Sequence, residues 1–266
     1  MIRADPLLDD PATPLLRQRS RLADGLADLD DDQWAAPSRC AGWTVQDVIA
    51  HLTTTNQFWT FSIDAGLAGT PTTFLSTFDP VASPAQLVDA MRSATPAEAL
   101  DQFIESNAAL TAAIERVGDR WSTIAEAPPG HLAIALVAQH ALWDSWVHER
   151  DVLLPLEIEP EVEDDEIVAC LSYSAALSPA FLASTGSTRT ATIEILTTDL
   201  DVPVVVEVGP QVVIGQGPAD PGAIRIEGDA VSVLEALSVR GPFPTPLAAD
   251  ERWVLDGLTR AFDQAV

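Results

Sequence analysis

Residues 131–155 read HLAIALVAQHALWDSWVHERDVLLP, apolar nearly all the way round. This pattern predicts a helix enclosed by other elements. His140, Asp144 and His148 recur in it every fourth residue, and positions four apart differ by only about 40° around a helix. Ionisable groups on a buried helix are costly unless they pair with one another or bind an ion. The chain must therefore build a helical bundle around this segment and give its polar stripe a partner.

Two readings of the stripe are open. In one, Asp144 accepts hydrogen bonds from one or both histidines as an internal ladder. In the other, Asp144 and His148 are metal ligands at i and i+4, the spacing by which HExxH helices offer two side chains to one ion. A third ligand must then come from another helix. The chain has four histidines; His131 falls at the expected helix start, and His51 lies on a separate helix, free to supply it. Two histidines and one carboxylate leave a tetrahedral ion with an open position, the catalytic pattern.

Around the stripe, the first 155 residues read as helices. Thr13–Leu29 carries leucines at helical spacing. In GWTVQDVIAHL, Thr44 and Asp47 form a capping-box pair that starts a helix running toward Gly66. A third spans Pro96 to Val117, with short helical turns around Gln86 to Ser93. The fourth follows Pro128, Pro129 and Gly130 and is stopped by Pro155. The loop from Gly66 to Pro84 reads as a lid. PLEIEPEVEDDE, residues 155–166, is an acidic run of linker character. A helix from Glu166 to Ala183 follows it, then short β-branched runs, TATIEILTT, VPVVVEV, QVVIGQ and AIRIE, and a helix over GDAVSVLEALSV. The expectation is an α+β protein of two domains, a four-helix bundle over 1–155 and a small α+β domain over 156–266.

Fourteen basic residues, all arginine, face 40 acidic ones, a net charge of −26. Such a surface repels phosphate backbones and anionic lipid, which argues against nucleic-acid and membrane partners. An anionic small substrate requires a local arginine. The start, MIRADPLLDD, has neither a basic nor an apolar signal region, and no apolar run approaches the length of about 18 that a membrane span needs. A soluble, cytoplasmic protein is expected. Cys40 and Cys170 belong to no CxxC pair and read as reduced thiols.

PSRCAGWTVQDVIAHL, Pro37 to Leu52, followed by DSWVHERD, Asp144 to Asp151, resembles the mycothiol-dependent maleylpyruvate isomerase family of the DinB-like four-helix superfamily. AIRIEGDAVSVLEALSVRG is similar to that family's sterol-carrier-like C-terminal domain. The resemblance implies that His51, in W-x-V-x-D-x-x-x-H-L, binds a divalent metal, usually zinc, and that Asp144 and His148 match the family's E-x-x-x-H. The family prefers Glu where this chain has Asp144; aspartate is one methylene shorter, so the helix must sit closer, the metal must shift, or a water must bridge. His140, one turn earlier, is an alternative ligand.

The resemblance further implies a mycothiol cosubstrate whose metal-activated thiolate either isomerises a maleylpyruvate-like substrate or is transferred to another electrophile. Arg240, in SVRG, stands where the family commonly carries an arginine that can face the metal, and Arg225, in AIRIE, is the second choice for the anion-binding cation. Asp151 can orient a histidine or cap the helix end. Cys40 reads as a small buried hydrophobe. The competing expectation is a non-catalytic small-molecule binding protein of this fold with a degenerate metal site.

Overall fold

The computed structural model describes the chain except for residues 78, 80–81, 216–218, 220 and 263–266. The chain opens on strand β1 (Ile2–Ala4), then α1 (Thr13–Ala27), which buries Leu15, Leu22 and Leu26 together with Gln18 and Arg19. A single turn, α2 (Asp31–Trp34), leads to α3 (Val45–Leu67). The expected capping box starts α3: Thr44 Oγ1 accepts from the Asp47 amide, and the Asp47 carboxylate accepts from the Thr44 amide. The isolated turns expected near Gln86 are a full helix, α4 (Ala82–Met91). A second capping box, Thr95 with Glu98, and Pro96 in the first turn begin α5 (Pro96–Val117).

The helix expected from Gly130 begins later. Ile124–Ala127 (β2) and Gly130–Ala133 (β3) form an antiparallel hairpin with Ala127 opposite Gly130, and Pro128 and Pro129 make its loop. Gly130 has φ +117°, a conformation open to glycine but not to a helix. Helix α6 (Ile134–Leu153) follows, and its carbon surface is buried on all sides as the sequence demanded. The hairpin seats the end of α3: a Cβ at Gly66 would lie 2.5 Å from the Ile124 carbonyl oxygen.

Helix α7 (Asp164–Ser184) corrects two expectations. The acidic run is not wholly solvated, since its last residue, Glu166, is buried and bound by Arg21 Nη2 at 2.8 Å. Moreover, α7 is long and apolar enough to cross a membrane by length and composition, with a mean hydropathy of 1.6, but 78% of that stretch is buried inside the fold. Its apolarity follows from its place between α6 and the sheet.

The sheet has the order β1-β6-β5-β4-β7, with β4 (Ala191–Thr197), β5 (Val204–Val208), β6 (Val212–Gly215) and β7 (Ile224–Gly228). The strands β4, β5 and β6 are antiparallel neighbours, β7 joins β4 in parallel, and β1 joins β6 in parallel. The edge strand from residues 2–4 was not anticipated; three residues are too few for a periodic signal. Helices α8 (Ala230–Leu237) and α9 (Asp256–Phe262) pack against α7. The result is an N-terminal helical bundle joined to a C-terminal α+β region. One continuous apolar core runs from Leu15, Trp59 and Leu110 through Trp146 and Leu171 to Val206 and Ile226, and so crosses the expected division at Pro155.

Candidate metal centre

Helices α3 and α6 pack side by side and bring His51 to the face that carries Asp144 and His148. His51 Nε2 lies 3.8 Å and His148 Nε2 3.7 Å from the same oxygen, Asp144 Oδ1. The two imidazoles meet edge to face with centroids 4.9 Å apart, and Trp43 covers His51 at 5.5 Å. Neither separation from Asp144 is a hydrogen bond. The other carboxylate oxygen, Asp144 Oδ2, is buried without a partner.

Burial by itself would raise the Asp144 carboxyl; contact with His51 and the charges of His148 and His140 outweigh it and hold the group well below the usual carboxylate range. Burial pushes His51 down, against the pull of Asp144, with His148 and Arg19 adding to the fall. For His148 burial has the same sense, but Cys40, Asp151 and Asp144 prevail and raise it to about 10. The site thus keeps one charged carboxylate between two imidazoles of different basicity.

Behind His148 stands Asp151, fully buried, whose Oδ2 is 3.0 Å from His148 Nδ1. Arg240 grips the same carboxylate with both Nε and Nη2, each at 2.9 Å. Arg240 gets there through the end of α8, where Val239 adopts a left-handed φ of +58° and the Arg240 amide returns to the Glu235 carbonyl at 2.8 Å. A branched residue in that region is strained; the turn is held by the Trp143 indole N–H on Ser238 Oγ at 2.9 Å. Cys40 Sγ lies 3.3 Å from Asp151 Oδ2 and 3.7 Å from His148 Nδ1. Arg39, next to it, lies 3.4 Å from Asp151 Oδ1 and shares Glu235 with Arg150. Cys40, His148 and Asp151 also converge closely enough for an ion, but both Asp151 oxygens are already committed to Arg240. We read this second group as support for His148.

Of the residues singled out in the sequence, His51, Asp144 and His148 converge, with Asp151 and Arg240 behind them. His140 does not join them: its Nδ1 is 2.7 Å from the Tyr173 hydroxyl, and burial pushes it down to about 4. Arg225 is also elsewhere, in a cross-strand ion pair with Glu194 at 3.0 Å on the sheet. His131 is on β3 rather than at a helix start, half-buried, with Nε2 donating to the Thr72 carbonyl at 2.7 Å. The expected lid is tied down in its described part, because the buried Glu126 accepts from Thr72 Oγ1 and from the Phe74 and Leu75 amides. Sequence reasoning missed Arg19, Arg39 and Glu126; Arg39 alone had a signal, its place beside Cys40 in the motif.

The residues present fit a divalent ion. Metal–ligand bonds of about 2.0–2.1 Å set tetrahedral ligands about 3.3 Å apart; each imidazole nitrogen stands within about half an ångström of that separation from Asp144 Oδ1, and the three ligand atoms lie within 4.8 Å of one another. His148 also has the carboxylate partner on its far nitrogen that metal-bound histidines usually have. Fold and site together define a helical-bundle protein with a two-histidine, one-carboxylate centre, closed by an α+β region.

The family model described as the mycothiol maleylpyruvate isomerase N-terminal domain matches residues 15–153, and the chain belongs to that family. Among solved structures, the mycothiol-dependent maleylpyruvate isomerase is similar, with TM-score 0.59, 17% identity, and coverage of 85% of this chain and 87% of that one. A histidine-to-alanine mutant of the isomerase gives the same values. No curated protein matches the chain.

Proposed function

We propose that this protein is a metal-dependent enzyme that uses a low-molecular-weight thiol, mycothiol, either to isomerise a maleylpyruvate-like cis olefin or to transfer sulfur to a related electrophile. The observation that carries the reading is the convergence of both imidazole Nε2 atoms on Asp144 Oδ1 while Asp144 Oδ2 stays buried and unpartnered, in a chain of this family. Residues 1–155 hold the site and residues 156–266 close it through Arg240. A cytoplasmic location, with small molecules as the partners, is part of the same reading.

His51, Asp144 and His148 would hold the ion, for which zinc suits the two nitrogens and one oxygen. A bound divalent ion supplies the positive charge that keeps a thiol deprotonated at neutral pH. The chain's own residues prepare that site. Asp151 accepts the His148 Nδ1 hydrogen and so assigns Nε2, on the Asp144 side, as the nitrogen that would give up its proton to bind the ion. Arg240 and Arg39 hold Asp151 in place and balance its charge. Trp43 packs against the His51 ring. In the isomerisation, the thiolate adds to one carbon of the conjugated double bond, the new single bond rotates, and the same thiolate departs as the double bond re-forms. Substrate and trans product have the same composition, and the thiol is recovered.

The test is elemental analysis of protein purified without chelator, followed by turnover of maleylpyruvate with and without mycothiol. One equivalent of zinc and thiol-dependent turnover are expected, both lost in Asp144→Ala. Protein that takes up no metal even on reconstitution would make the group a hydrogen-bond ladder and would favour a non-catalytic binding protein.

A further inference from the structure

We propose that Arg19 is the receptor for a carboxylate of the electrophilic substrate, an anion subsite inside the bundle on its α1 side. The proposal builds on the thiol-dependent reading but rests on separate observations.

Arg19 is 2% exposed and donates only from Nη2, to the Ala141 carbonyl at 3.2 Å. Its Nε and Nη1 are buried without partners, and among the described residues no carboxylate pairs with it. The other arginines near the site are committed: Arg240 to Asp151, and Arg39 and Arg150 to Glu235. The bond to the Ala141 carbonyl places Arg19 against the helix that carries Asp144 and His148. Its acceptor Ala141 lies on α6, three residues before Asp144. Asn107 Nδ2 reaches the main-chain carbonyl of Arg19 at 3.5 Å while Asn107 Oδ1 accepts from Asn56 Nδ2 at 2.7 Å, so α1, α5 and α3 are tied together at this level. On α3, Asn56 Oδ1 and Trp59 Nε1 are likewise buried and unpartnered.

Leaving a guanidinium buried with its donors unmet is costly to a fold. Burial pushes Arg19 down only to about 10, so it stays a cation at neutral pH. A guanidinium with adjacent Nε and Nη donors fits the two oxygens of a carboxylate. In a chain of net charge −26, such an internal cation gives an anionic electrophile a reason to enter.

The experiment is calorimetric titration of the zinc-loaded protein with maleate and, in parallel, with the neutral diamide of maleic acid. Arg19→Met and Arg19→Lys are compared with the unmodified chain, and metal content is measured for each. Arg19→Met should keep its metal, melt no lower than the parent, and bind maleate at least tenfold more weakly, with diamide binding unchanged. Arg19→Lys, which keeps the charge and loses the fork, should weaken maleate severalfold and tests the idea by itself if the methionine variant does not fold. Undiminished maleate binding in either variant overturns the proposal, as does no maleate binding by the parent. Loss of metal from Arg19→Met would make Arg19 a support of Asp144 instead. If maleate binding depends on Arg19 while no thiol-dependent turnover is found, the subsite stands and the proposed reaction falls.

Discussion

The Asp151 carboxylate sits between His148 and Arg240, its Oδ2 3.0 Å from the imidazole Nδ1 and 2.9 Å from Arg240 Nη2. It couples the C-terminal region to the bundle face that carries His51, Asp144 and His148. Partners of this kind typically contribute 10–100-fold to metal affinity. Asp151→Asn should therefore raise the zinc dissociation constant about 10–100-fold, measured by competition with a chromophoric chelator. An unchanged constant would reduce Asp151 to an interdomain ion pair.

Asp144 answers differently to its two simplest replacements. Asp144→Ala removes the oxygen shared by His51 and His148 and should leave well below one equivalent of zinc after dialysis. Asp144→Glu keeps a carboxylate at this position, on the residue the family resemblance implies there, and should retain the ion. Full occupancy in the alanine variant would remove Asp144 from the ligand set.

His140 provides a pH signature for the metal-free protein. Its pKa in the fold is about 4 against an ordinary 6.5, so between these values the unfolded chain binds more protons than the native one. The contribution of His140 to stability is whole above pH 6.5 and is lost as pH falls toward 4, by about 3 kcal/mol in all. His140→Gln, which keeps a partner for Tyr173, should flatten this limb of the urea-denaturation free energy against pH. A limb of unchanged slope would assign the acid sensitivity to other groups.

Glu126 ties the loop after α3 to the hairpin, accepting from Thr72 Oγ1 at 2.5 Å and from the Phe74 and Leu75 amides at 2.8 and 2.9 Å. Glu126→Ala should cost about 2–3 kcal/mol, in line with loss of hydrogen bonds to a charged group. Hydrogen exchange at the Phe74 and Leu75 amides should accelerate well before global unfolding. Protection equal to that of the parent would show that the loop is held by its packing alone.

Much of the site was legible because its signals are local. Thr44 with Asp47, and Thr95 with Glu98, announce helix starts within one turn of chain. The spacing of Asp144 and His148 sets both side chains on one face before any fold is known. The hairpin at 124–133 is not legible in the sequence, because four-residue strands beside an apolar helix carry no period of their own. Arg225 was a reasonable candidate until the register set it opposite Glu194, and a register is a property of two strands.

By itself the sequence determined the buried character of α6, its polar stripe, and the helix that carries His51, because helical period and capping act over three or four residues. Only the tertiary structure decided which stripe residues meet His51. His140 is one turn from Asp144 on the same helix, yet it meets Tyr173 of α7 while His148 meets Asp151. Packing also decided that residues 2–4 complete the sheet, that Arg240 comes to Asp151 through the strained turn at Val239, and that Arg19 is buried with donors unspent. The reason is physical: spacing along a chain sets direction around one axis, whereas contact distance depends on how several axes pack, and that is settled by the whole core at once.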